Sequence, residues 1–233
     1  MNGYSKGKRL PTKRVTDLNS SEINIGTYGW CHPDWSGTFY DPDLPADWRL
    51  SWYANHFRTV VIPADYVLSA DRIDRWLADT DPAFRFILEI DQTFLSADPA
   101  QPDEWSLKTI ERLFSGQLDA VIYRSGRIDR SCKSPKWMCL PELEKASFCI
   151  GQNDVSKNNR MGWDCRYERR DAGELGLDYV VYSSSGNLSQ MRIILESMRE
   201  ESDKRQALIF TDQQAGGTHA QQARILSDLL SAQ

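Results

Sequence analysis

The chain has 233 residues, a net charge of −5 and a pI near 5.3. Apolar residues make up 40% and charged residues 26%, the mix of a chain that builds its own core. The acidic balance excludes a global basic field for nucleic acid, and no apolar run reaches the roughly 18 residues of a membrane helix.

Residues 1–20 hold Lys6, Lys8, Arg9, Lys13 and Arg14 against one acid, Asp17. They read as a solvated basic tail, the one place where nucleic acid would be contacted. The tail lacks the apolar stretch of a signal peptide, so the cytoplasm is the expected compartment. Cys31, Cys132, Cys139, Cys149 and Cys165 are odd in number and have no CxxC spacing, which points to neither a disulfide framework nor a zinc site.

Ile23-Asn24-Ile25 reads as a strand closed by Gly26-Thr27-Tyr28-Gly29-Trp30. Pro, Gly, Asp and aromatics then crowd residues 31–47, the signature of a long loop. Leu50, Tyr53, Ala54 and Phe57 recur at helical spacing, and Thr59–Ile62 is β-branched enough for a strand. Ser69 is placed to cap a helix whose apolar face is Ile73, Trp76 and Leu77. A strand over Phe84–Ile90, a helix over Trp105–Phe114 and a strand over Leu118–Tyr123 follow. Ala146–Ile150 reads as a strand, and residues 153–177 as a long polar loop. The chain ends with a strand over Leu177–Tyr182, a helix over Leu188–Met198, a strand over Gln206–Phe210 and a helix over Ala220–Leu230. This alternation predicts α/β architecture with βαβ units in a parallel sheet. A single domain over residues 21–233 is expected, irregular between 124 and 177.

Ile25-Gly26-Thr27-Tyr28-Gly29-Trp30, then Trp35, Gly37, Phe39 and Tyr40, resemble the opening signature of the YecE-like family (domain of unknown function 72). Tyr53–Val60, Trp76 with Phe84-Arg85-Phe86, and Phe210–Ala223 fit the same family in order. The resemblance implies a TIM-type (β/α) barrel and no established reaction. It also marks departures. The family's usual Glu and Asn of the second strand are Val61 and Pro63 here, and its Lys at the end of the third is Glu89. The Arg and His of the seventh give way to Val181 and Ser183, and the Asn pair of the eighth to Thr211 and Asp212. Barrel active sites are built at the C-terminal ends of strands, where this chain has replaced nearly the whole set.

The expected function is therefore a diverged, non-catalytic barrel that binds a protein partner or an anionic small ligand at its C-terminal mouth. The candidate ligand-binding residues are Gly26, Tyr28, Trp30, His32, Trp35, Tyr40, Asp65, Ser183 and Ser184. The glycines offer backbone N–H groups and the aromatics offer stacking faces, or else they simply pack the loop. The serines precede a helix, where an anion binds or Asn187 merely caps. The alternative is a hydrolase of glycosides or phosphoesters using paired carboxylates from Glu89, Asp91 and Asp212. Such carboxylates also suit a divalent cation such as Mg²⁺. Gly26–Gly29 does not make a GxGxxG fingerprint, so no nucleotide cofactor is expected. His32, His56 and His219 are too scattered for a metal site. Trp30, Trp35, Tyr40 and Glu89 are expected to converge at the mouth.

Overall fold

The computed structural model describes residues 23–90, 107–123, 148–152, 165–169 and 176–232. Eight strands are described: β1 Ile23–Tyr28, β2 Thr59–Ile62, β3 Arg85–Ile90, β4 Leu118–Tyr123, β5 Phe148–Gln152, β6 Cys165–Arg169, β7 Tyr179–Ser183 and β8 Gln206–Phe210. The helices are α1 Arg49–Ala54, α2 Ala70–Ala78, α3 Leu107–Leu113, α4 Leu188–Arg199 and α5 Gly216–Ser231.

Six strands form a curled parallel sheet in the order β7-β8-β1-β2-β3-β4. β5 adds parallel to β4, and β6 links β5 to β7 while running antiparallel to both. The α/β architecture is as expected. The reversed β6 departs from an all-parallel eightfold barrel, and it falls within residues 153–177, where the sequence predicts only loop.

The strands alternate between two apolar layers, as the two-residue period of a strand requires. Phe86, Leu88 and Ile90 of β3 join Trp76 of α2 and Ile110 of α3 in the layer between sheet and helices. Val61, Ile87, Ala120, Ile122, Val180, Tyr182, Ala207 and Ile209 make a second, inner layer on the concave face. β2 is buried on both faces, which explains its unbroken Thr-Val-Val-Ile run.

Local chemistry fixes the helix starts. Ser69 Oγ accepts from the Arg72 amide at 3.3 Å and caps α2, as its sequence position predicts. Asn187 Oδ1 accepts from Ser189 and Gln190 at 2.9 and 3.1 Å and caps α4. α5 begins at Gly216, four residues before the helix that periodicity predicts at Ala220. Gly217 permits this start, because a methyl group there would stand 2.7 Å from the Phe39 ring. β1 likewise runs on to Tyr28, through a Gly26 whose Cβ would stand 2.2 Å from the Thr59 carbonyl oxygen. That glycine lets β1 and β2 approach, with Gly26 opposite Thr59 in register.

Candidate functional site

Glu89 is the penultimate residue of β3, two positions after inward-facing Ile87, so it points into the concave interior. It is only 2% exposed. Tyr28, the last residue of β1, donates its hydroxyl to Glu89 Oε1 at 2.8 Å. Tyr182, penultimate in β7, donates to Oε2 at 3.2 Å. β1 lies two strands from β3 and two from β7, so the three side chains meet across the curve of the sheet. The two tyrosine rings stand edge to face, 6.0 Å apart with their planes at 72°. All three residues sit at the C-terminal ends of mutually parallel strands. A carboxylate out of water needs such donors, because burial without hydrogen bonds is costly.

The end of β1 is braced from behind. His32 Nε2 lies 2.7 Å from the Tyr28 carbonyl, which only accepts, so that nitrogen carries the proton. The His32 ring packs 4.6 Å from Trp35. Gly29 adopts φ +77° and donates its N–H to Val61 at 2.9 Å, which turns the chain out of β1.

Trp30, Trp35 and Tyr40 do not join Glu89. Trp30 packs on Tyr66 and Trp76, in the layer between sheet and α2. Trp35, 1% exposed, packs against Phe39 and Tyr40, and these two rings continue onto Trp52 of α1. The Tyr40 hydroxyl donates to the Trp30 carbonyl at 2.6 Å. The aromatic loop thus extends the layer between sheet and helices onto α1, in place of the expected convergence, because its rings find buried neighbours there. Trp48, between the aromatic loop and α1, stands out in solvent.

Burial raises the pKa of Tyr40 and Tyr53, and it pushes Tyr66 to about 12. The Cys31 thiol is also raised, mainly by burial, against the opposing effects of the Arg49 charge and a hydrogen bond with Tyr66.

The remaining candidates occupy the loops after β2, β7 and β8. Asp65 is exposed between β2 and α2. Ser183 is buried and its Oγ accepts from the Ser185 amide at 3.2 Å, while Ser184 is exposed. Asp212 Oδ1 accepts from the amides of Gln214 and Ala215 at 2.9 and 3.3 Å, and Oδ2 lies 3.8 Å from His219 Nδ1. Asp212 therefore fixes the turn that leads into α5 rather than standing beside Glu89. Asp91 and the basic residues Lys6, Lys8, Arg9, Lys13 and Arg14 lie outside the described residues. Among the described residues, no group of three or more His, Cys, Asp or Glu could hold a metal ion, and no helix is long and apolar enough to cross a membrane.

Tyr182 is the participant that the sequence reading passes over. Its signal is weak, a tyrosine in an apolar strand pattern, legible only once the inward register of β7 is known.

A family model, the protein of unknown function DUF72, matches residues 24–123, which carry β1 to β4 and with them Tyr28 and Glu89. Over this stretch the chain carries the DUF72 signature. The resemblance drawn from Ile25–Trp30 thus holds where it was densest. A DUF72 family protein from Thermotoga maritima MSB8 is similar in fold at 15% identity and a TM-score of 0.53, over 90% of this chain and 99% of that one. A DUF72 family protein from Enterococcus faecalis V583 is similar at 13% identity and a TM-score of 0.55, over 89% of this chain and 96% of that one. These identities speak for a shared fold alone, and DUF72 itself brings no assigned reaction. No curated protein matches the sequence.

Proposed function

We propose that the protein is a diverged, non-catalytic TIM-type barrel of the cytoplasm that binds a small polar ligand at its C-terminal mouth, with Glu89, Tyr28 and Tyr182 as the floor of the site. The observation that carries this reading is the convergence of two phenol hydroxyls, from β1 and β7, on the buried carboxylate of β3. The mouth is where barrels place their ligand sites, on strand ends that vary without disturbing the core.

Two features favour binding at Glu89 over the other readings. Hydrolysis by paired carboxylates needs a second carboxyl beside Glu89; of the two candidates, Asp212 is committed to the Gln214 and Ala215 amides in the turn before α5, and Asp91 lies outside the described residues. An anion at the loop after β7 would compete with Asn187 for the amides that open α4, and one at the loop after β8 would compete with Asp212 for the turn amides of Gln214 and Ala215.

The test compares the wild-type chain with Glu89→Gln by native mass spectrometry. A small molecule retained by the wild type and lost from the variant is the expected result. A panel of glycosides and phosphoesters runs alongside. Turnover that Glu89→Gln abolishes, with the fold intact by circular dichroism, would replace this reading with the hydrolase.

A further inference from the structure

We propose that His219 is a proton-driven latch between the loops that follow β7 and β8: once its ring is charged, it closes on Asp212 and draws back from Gly186. The inference concerns the rim of the mouth and stands whatever the mouth binds. The two strand ends are tied together, because Thr211 donates its N–H to the Ser183 carbonyl at 3.0 Å. Beyond that bond the loops part, one leading into α4 and the other into α5, and the His219 ring from the first turn of α5 lies between them. One edge of the ring is pressed on Gly186, where a methyl group would stand 2.3 Å from Nε2, 2.7 Å from Cε1 and 2.9 Å from Cδ2. The other edge faces the turn after β8, with Nδ1 3.8 Å from Asp212 Oδ2. That gap is too wide for a hydrogen bond, and Nδ1 is buried without a partner. A ring nitrogen held out of water beside an acceptor it does not reach carries a cost, which closing the gap removes.

Charge supplies the drive. In the imidazolium both ring nitrogens donate, and a charge-assisted bond from Nδ1 to a carboxylate settles at about 2.7–2.9 Å, roughly 1 Å shorter than the present gap. Asp212 is fixed through Oδ1, which accepts from the Gln214 and Ala215 amides, so the ring travels to the carboxylate and its opposite edge leaves Gly186. Among the described residues, Asp212 is the charged side chain within 4.0 Å of the ring nitrogens. The loop after β7, Ser183 to Asn187, carries no ionisable group, and β8 presents the Phe210 ring. The opposing influence is the positive end of α5 itself, which disfavours a cation in its first turn and which the Asp212 carboxylate offsets. Histidine is the side chain that changes charge between about pH 5 and pH 8, and the latch operates in that range.

The full-length chain, labelled with nitrogen-15, would be followed by NMR from about pH 8 to about pH 5. The His219 ring signals and the backbone amides of Ser185 and Asn187 are expected to move together, with one midpoint. Asp212→Asn keeps the oxygen that holds the Gln214 and Ala215 amides and removes the charge. In that variant the ring should still titrate, while the Ser185 and Asn187 amides lose at least about half of their shift, because the ring is no longer drawn across. His219→Gln should abolish the response of the loop altogether, which also separates it from any titration of His32 and covers the case of an Asp212 variant that does not fold. Loop amides that ignore the titration of the ring, that respond equally in Asp212→Asn, or that still respond in His219→Gln would overturn the latch. Ring signals that stay fixed across the whole range would overturn it as well.

Discussion

The Tyr28 hydroxyl and the Glu89 carboxylate meet at 2.8 Å although 61 positions separate them in the chain. Such a bond to a buried charged acceptor is worth about 1.5–3 kcal/mol. Tyr182→Phe, which leaves the ring and removes a buried donor, should cost about 2 kcal/mol in urea unfolding. Tyr28→Phe, nearer solvent, should cost about 1.5 kcal/mol. In a Glu89→Leu background both penalties should largely vanish, since donor and acceptor act as one unit. Equal penalties in both backgrounds would mean that the phenols serve some partner other than Glu89.

Gly26→Ala tests the approach of β1 to β2. The new methyl would stand 2.2 Å from the Thr59 carbonyl oxygen and 2.9 Å from its carbonyl carbon, and backbone cannot swing aside as a side chain can. The Tyr53 hydroxyl bridges the same strands, accepting from the Thr27 amide at 3.0 Å and donating to the Thr59 carbonyl at 2.9 Å. Separation of the strands would break that bridge as well. A loss of about 3 kcal/mol is expected, at the upper end for overpacking, read as a lower urea midpoint. A variant as stable as wild type would show that the strands have room to part.

How far these relationships could be read in advance depends on what marks each residue. β3 and β8 are legible because Phe86, Leu88 and Phe210 alternate with inward residues in a strongly apolar run. β6 is not, because the alternation of Cys165 and Tyr167 with charged residues is only five positions long and stands inside a polar stretch. Arg166 of that strand lies 3.8 Å from the centre of the Tyr179 ring and makes a two-pronged pair with Glu201, polar contacts that carry no sequence periodicity. Trp30 and Trp35 look alike as core or as mouth residues. Only the position of the α2 Trp76 beside Trp30, and of α1 beside the Trp35 cluster, decides between them. Glu89 is legible as a strand-end acid, whereas its partner Tyr182 needs the register of β7.

The Glu201 cluster gives a pH prediction. Arg166 donates to its two carboxylate oxygens at 2.7 and 3.0 Å, and with help from Lys204 the pKa falls from the ordinary value of 4.5 to about 2. A depressed carboxyl stabilises the fold fully above its unfolded pKa and loses that contribution as pH falls through the folded value. Stability should therefore decline between about pH 4.5 and pH 2, with a part due to Glu201. The pair is partly solvated, so its share is about 1 kcal/mol. Glu201→Gln should flatten the urea midpoint over that window and leave its slope above pH 5 unchanged. An unaltered acid limb would assign the decline to other carboxyls.

Gly186 and His219 make the last prediction. Gly186 precedes α4, and His219 lies in the first turn of α5. A methyl on Gly186 would stand 2.3 Å from His219 Nε2 and 2.7 Å from Cε1, closer than any real contact. The imidazole has neighbours on its other sides: Phe210 with ring centroids 6.2 Å apart, and Asp212 Oδ2 at 3.8 Å from Nδ1. It therefore cannot turn away without disturbing Asp212 and the turn that leads into α5. Gly186→Ala should destabilise by about 1–3 kcal/mol, the range for overpacking a filled site. His219→Ala removes the obstacle, so the double variant should be no less stable than His219→Ala alone. The cycle reads the clash directly as a coupling between the loop after β7 and the first turn of α5. If the Gly186→Ala penalty persists without the imidazole, the glycine is required for the backbone of the β7–α4 turn and not for the approach to His219.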